Sequence, residues 1–171
     1  YMAIVNHLED IYNIDRVITF SGSKGNFRKL ITPVYKANRK KQELPPLLNE
    51  MHQFVKDEYD SVWGYGIETD DIVARYWYEL SNEVGRDNVM IVSIDKEAMY
   101  NLYEQFIIGD TADNVNYFKG KGKRFAEKYL ADCETKYQYT RKMFELFQKE
   151  YKGKARQKYA ECYHLLKLRT E

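Results

Sequence analysis

Two short apolar runs, Val17-Ile18-Thr19-Phe20 and Val89-Met90-Ile91-Val92-Ser93, stand between stretches whose apolar residues recur at helical spacing. That alternation constrains the fold more than any other feature of the chain. Runs that are apolar on both faces suit strands covered on both sides, so strand–helix–strand order predicts an α/β architecture with a mostly parallel central sheet flanked by helices. Ile4, Val5, Leu8, Ile11 and Tyr12 predict a helix over Met2–Tyr12. Ser21 to Gly25 reads as a loop, and Pro45-Pro46 opens a helix through Leu48, Met51, Phe54 and Val55. Tyr59 to Gly66 is extended with breaks, and Asp70 or Asp71 starts a helix through Tyr78 and Leu80. After Asn101 the chain becomes helical, broken only by the loop Gly109 to Gly122 and by Gly153. The expected division is therefore an α/β lobe over residues 1–101 and a helical lobe over residues 102–171.

Composition narrows the function classes. A length of 171 residues supports one domain with a real core and a small appended lobe. The net charge of +1 argues against indiscriminate coating of nucleic acid, although a neutral total is compatible with a basic face opposite an acidic pocket. Cys133 and Cys162 match no zinc or disulfide spacing and read as reduced thiols. No segment resembles a signal peptide and no apolar run reaches the ~20 residues of a membrane span, so a soluble intracellular protein is expected. His7, His52 and His164 lie outside any motif, and no Ser–His–Asp or Cys–His arrangement is present.

Three acidic groups carry the chemistry. Glu68-Thr69-Asp70-Asp71 precedes a helix, Asp95-Lys96-Glu97 follows the second apolar run, and Asp110-Thr111-Ala112-Asp113 opens the helical lobe. Alone, Asp70 reads as a helix cap and Gly109-Asp110 as a turn. In parallel α/β sheets, however, ligands gather beyond the carboxyl ends of the strands, which is where Asp95 falls, and a carboxylate at a helix start faces the same crevice. Clustered carboxylates repel one another unless cations neutralise them, which is the signature of a hard divalent site, and oxygen-only ligands point to Mg²⁺ or Mn²⁺ rather than zinc. Two such ions about 4 Å apart can activate water and stabilise a leaving oxygen in phosphodiester hydrolysis.

The ordered blocks Glu68-Thr69-Asp70-Asp71-Ile72, Ser93-Ile94-Asp95-Lys96-Glu97 and Gly109-Asp110-Thr111-Ala112-Asp113-Asn114 resemble the acidic signature of the bacteriophage 5′–3′ exonuclease and flap-endonuclease family. Glu97 stands where that pattern has a second Asp. Lys119-Gly120-Lys121-Gly122-Lys123-Arg124-Phe125-Ala126 resembles the family's helix–three-turn–helix segment. Its glycines let backbone N–H groups approach a phosphate, and the following helix start favours the anion. Phe27-Arg28-Lys29 and Tyr35-Lys36-Ala37-Asn38-Arg39-Lys40 resemble the segment that leads into a helical arch over the active site. A solvated basic helix end is the alternative for Lys40 and Lys41.

The resemblance runs from about Val17 to the C-terminus. It implies a PIN-like 5′-nuclease lobe joined to a helix–three-turn–helix lobe, acting in phage replication in the host cytoplasm on DNA with 5′ ends or flaps and on RNA–DNA hybrids. It assigns Glu68, Asp70, Asp71, Asp95 and Glu97 to the nearer metal ion and Asp110 and Asp113 to the second. Lys36 and Arg39 become catalytic groups on the phosphate, since cations beside it offset the charge that develops there. Arg28, Lys36, Arg39, Lys119, Gly120, Lys121, Gly122, Lys123 and Arg124 become DNA contacts, with K⁺ at the helix–three-turn–helix.

Three departures qualify the resemblance. No first strand with an Asp precedes the opening helix, Gly22 occupies the position expected to hold a carboxylate after the strand Val17–Phe20, and the connection between the middle and last acidic blocks is short. These point to segments lying outside the chain. They also keep two alternatives open: a catalytically impaired, structure-specific DNA-binding protein on the same scaffold, and a PIN-type ribonuclease, which lacks the basic glycine segment.

Overall fold

The computed structural model describes residues 2–22, 25–38, 45–92 and 101–169. The chain opens with helix α1 (Met2–Ile11) and strand β1 (Ile18–Gly22), then a single turn of helix, α2 (Arg28–Ile31). Helix α3 (Leu48–Glu58) leads into strand β2 (Asp60–Gly64), and α4 (Thr69–Val84) follows it. The two strands pair in parallel, with Ile18 opposite Asp60 and Gly22 opposite Gly64. Thr19 and Ser61 share a hydroxyl hydrogen bond of 2.6 Å across the pair. Gly64 allows close packing: a Cβ there would lie 2.0 Å from Ile72 Cδ1 and 2.9 Å from its Cγ1, so any side chain at the end of β2 would force the buried Ile72 of α4 to shift.

The expected sheet is smaller in the structure. Among the described residues the sheet has only β1 and β2. Val89–Val92, read from its apolar run as the clearest strand, lies outside any sheet, with Met90, Ile91 and Val92 exposed. A strand needs a neighbour to take its N–H and C=O groups, and no described strand lies beside this segment. Ser93, the last residue of that run, lies outside the described residues.

The remaining helices are α5 (Leu102–Ile108), α6 (Lys123–Leu130), α7 (Lys136–Tyr151) and α8 (Ala155–Leu166). Capping explains where two of them start. The Asn101 side chain accepts from the N–H groups of Tyr103 and Glu104 at 3.0 and 2.9 Å, while Glu104 accepts in return from Asn101 N at 3.1 Å. Thr135 and Gln138 form the same reciprocal box on α7. The core lies mainly among these helices, built from Phe106, Ile107, Phe118, Met143, Phe147, Cys162 and Leu165, and Tyr35 enters it from the first half of the chain. By contrast, α3 buries no residue and leaves Met51 and Phe54 exposed. No helix of the described residues is long and apolar enough to cross a membrane.

Candidate functional site

The start of α4 and the loop after α5 meet at one place. Glu68 precedes the first turn of α4 in an extended conformation, so its side chain turns off the helix axis, and Asp70 and Asp71 follow within that turn. In the loop Gly109–Val115, Gly109 has φ +70° and sits against the Val115 carbonyl, where a Cβ would approach to 2.4 Å. Asp110 and Val115 exchange backbone hydrogen bonds of 2.7 Å across this loop. Asp110 Oδ1 also accepts from the N–H groups of Ala112 and Asp113, which tightens the loop.

Two adjacent residues join these elements. The Tyr35 hydroxyl, 33 residues before Glu68, lies 2.8 Å from Glu68 Oε2 and 2.9 Å from Asp113 Oδ2, and its single proton is shared between the two acceptors. Lys36 Nζ contacts Glu68 and lies 3.3 Å from Asp113 Oδ2. Lys36 adopts φ +56°, uncommon for a residue with a side chain, and its N–H donates to the Asp113 carbonyl at 2.8 Å. Asn38 Nδ2 donates to Thr111 O at 2.7 Å and Asn114 Nδ2 to Val34 O at 3.0 Å. The basic segment and the acidic loop are thus fastened at both ends. Burial, with Glu68 and Asp113 beside it, pushes the Tyr35 pKa up, so the phenol stays a donor.

Arg28, expected at the DNA surface, has a buried side chain in the structure. Its side chain is 2% exposed, and it donates from Nη1 and Nη2 to Asp71 at 2.5 and 2.9 Å and from Nη1 to Glu68 at 3.0 Å. Burial opposes the guanidinium charge, but the Asp71 hydrogen bond and the charges of Asp71 and Glu68 prevail and raise its pKa. A buried arginine must be paired, and here the partners are acidic groups of α4 rather than phosphates. Asp71, assigned to a metal by the resemblance, is buried with its oxygens held by Arg28 and by the Arg169 N–H at 2.9 Å. Asp70 is half-buried in the same turn. Among the described residues, no group of three or more His, Cys, Asp or Glu side chains is arranged to hold an ion. Arg39, Asp95 and Glu97 lie outside the described residues, as do Lys40 and Lys41.

The glycine-rich basic segment forms a separate surface. Gly120 has φ +77° with open space where a Cβ would lie, and Gly122, just before α6, has the same open space while its carbonyl accepts from the N–H groups of Phe125 and Ala126. Lys119, Lys123 and Arg124 are exposed. Lys121 is half-buried, 3.1 Å from Glu150 on α7 and over the ring of Phe118. Ala126 and Leu130 point inward and hold this end of α6 on the core.

Tyr35, Asn38 and Asn114 fall within the motifs, but the sequence alone assigns them no role. Their signal is the placement of hydrogen-bonding side chains beside Lys36 and Asp113, which acquires meaning only when the two loops meet. No protein-family model and no curated protein sequence matches the chain. Among solved structures, the fold is similar to that of the T5 D15 protein co-crystallised with metal ions, with a TM-score of 0.59 at 14% identity over 96% of this chain and 79% of that one. The chain therefore shares the architecture of the T5 D15 protein.

Proposed function

We propose that this protein is a divalent-metal-dependent 5′-nuclease, hydrolysing phosphodiester bonds at 5′ ends or flaps of DNA and of RNA–DNA hybrids in phage replication. The observation that carries this reading is the convergence of Glu68 and Asp113 on Tyr35 and Lys36, with an open basic glycine turn elsewhere on the same chain. The likeness to a protein co-crystallised with metal ions agrees with it.

Every candidate ligand is a carboxylate, the donor type that a hard cation takes, but among the described residues no three of them are arranged around an ion. Glu68, Asp70, Asp110 and Asp113, joined by Asp95 and Glu97, would hold Mg²⁺ or Mn²⁺. Bound ions would supply an activated water and charge neutralisation at the phosphate. The chain's own groups do the rest. The Tyr35 hydroxyl holds Glu68 and Asp113 at a fixed separation. Lys36 presents an ammonium at the rim of the site, where it can orient a phosphate and offset its charge. Gly120 and Gly122 offer backbone N–H groups to a duplex strand, and Lys119, Lys121, Lys123 and Arg124 supply the screening-sensitive attraction.

A catalytically impaired DNA-binding protein is the second reading. It is favoured by Gly22, which brings no carboxylate, and by Arg28, which occupies Asp71. A 5′-labelled flap and a blunt duplex incubated with and without Mg²⁺ separate the two. Short labelled products that require Mg²⁺ and vanish in Asp113→Ala support the nuclease. Tight flap binding with no product at any Mg²⁺ or Mn²⁺ concentration supports the second reading.

A further inference from the structure

We propose that Leu165–Arg169, the end of α8 and the segment after it, acts as a strap that positions the acidic turn of α4 through Arg28. This rests on the site assigned above. Arg28 divides its donors between two distant parts of the chain. Nε donates to Leu165 O at 2.8 Å and Nη2 to Lys167 O at 3.3 Å, while the same guanidinium holds Asp71 and Glu68. The strap also reaches Asp71 directly, because Arg169 N donates to Asp71 Oδ1 at 2.9 Å. The ring of Phe27 completes the joint, with the Arg169 guanidinium 3.6 Å and the Arg28 guanidinium 4.7 Å from its centroid.

The chemistry requires arginine. Its planar fork serves two carboxylates and two carbonyls at once, whereas a lysine ammonium would present one compact charge. The last carbonyls of a helix need donors, and Arg28 supplies them from beneath α8. The side chains of Arg28 and Asp71 are 2% and 1% exposed, so water cannot easily replace a missing partner. Glu68 shares Nη1 with Asp71 and also meets Tyr35 and Lys36, so a shift of Arg28 is passed to Glu68. Arg28, Phe27 and Arg169 are therefore positioning residues, and they touch no reacting atom.

The test uses the full chain with Arg169→Pro, which removes the N–H that Asp71 accepts, and Arg169→Ala, which keeps it. Arg169 is exposed at the end of the described chain, so neither change disturbs the core. Hydrogen exchange at Ile72 and Val73 in α4 reads the mechanical link, and a Mn²⁺ titration followed by electron paramagnetic resonance reads the site. The expected result for Arg169→Pro is faster exchange at Ile72 and Val73 and Mn²⁺ binding about two- to threefold weaker, less than the roughly tenfold lost when a direct outer partner of a metal ligand is removed, because Asp71 reaches Glu68 only through Arg28. Arg169→Ala keeps that N–H and loses only the Phe27 contact, so exchange at both positions should rise less than in Arg169→Pro. Exchange that rises only beyond Leu165, with Ile72 and Val73 unchanged, overturns the strap. So does unchanged Mn²⁺ affinity in Arg169→Pro when the wild type binds Mn²⁺. A wild type that binds no Mn²⁺ overturns the nuclease reading instead, and the strap then stands or falls on the exchange at Ile72 and Val73.

Discussion

Gly22 ends β1 outside the left-handed region, so its backbone does not demand glycine. A Cβ there would meet Thr69 Oγ1 at 2.7 Å, which aims the position at the first residue of α4, next to Glu68. The obstacle is a single hydroxyl that can rotate away. Gly22→Asp is expected to add an anionic ligand, raising apparent Mg²⁺ affinity severalfold with a fall in melting temperature of only a few degrees, as for a change of about 1 kcal/mol. Titrating cleavage against Mg²⁺ and melting the same variant checks both halves, and an unmoved titration removes Gly22 from the site. Tyr35 is the second residue of consequence. Tyr35→Phe leaves Glu68 and Asp113 without their shared donor and should cost about 1–3 kcal/mol in chemical denaturation, the penalty of depriving buried acceptors of a partner.

At the scale of elements, α6 and the turn before it form the unit that would grip a duplex. Lys121 spends part of its charge on Glu150, and Lys123 extends from the exposed first turn of α6. Replacing both with alanine should weaken duplex binding and lower the slope of log affinity against log salt by roughly 0.9 for each phosphate that the variant no longer neutralises. Fluorescence anisotropy across a salt series measures this, and an unchanged slope would show that the turn does not meet the backbone. Removing the Lys121–Glu150 pair, which keeps solvent access at both ends, should hardly change stability, since surface pairs contribute about 0–1 kcal/mol.

For the molecule as a whole, the helical core sets stability. Phe147 is fully buried between α7 and α8 and packs on Phe118, Tyr151 and Tyr159. Phe147→Ala should therefore cost about 3–5 kcal/mol in denaturant unfolding. The same core carries a pH signature. Burial raises the Tyr117 pKa, reinforced by its hydrogen bond to Glu161, and pushes Tyr159 up to about 12. The folded state thus holds protons that the unfolded chain gives up near the ordinary tyrosine value of about 10. That stabilisation is complete below this value and is lost as pH rises through the folded pKa values. Melting temperatures should fall above pH 10, and Tyr117→Phe should make the fall shallower.

Local pattern alone located most of the helices and the strand β1, and read the region of β2 only as extended chain with breaks, because amphipathic spacing and glycine breaks act within a few residues of themselves. It also brought Glu68, Lys36, Asp110 and Asp113 into view, since their motifs are contiguous. Pairing was not legible. Val89–Val92 has the composition of a strand, but a strand exists only with a neighbour, and among the described residues none lies beside it. Arg28 looked like a DNA contact because charge in a sequence carries no burial. Only the packing of α2 against α8 places it beneath the Leu165 and Lys167 carbonyls and turns its charge onto Asp71. Tyr35 gained its role in the same way, when residues far apart in the chain converged on one hydroxyl. What the sequence determined are features that neighbours along the chain enforce, and what tertiary structure decided is which buried charges and donors meet across it.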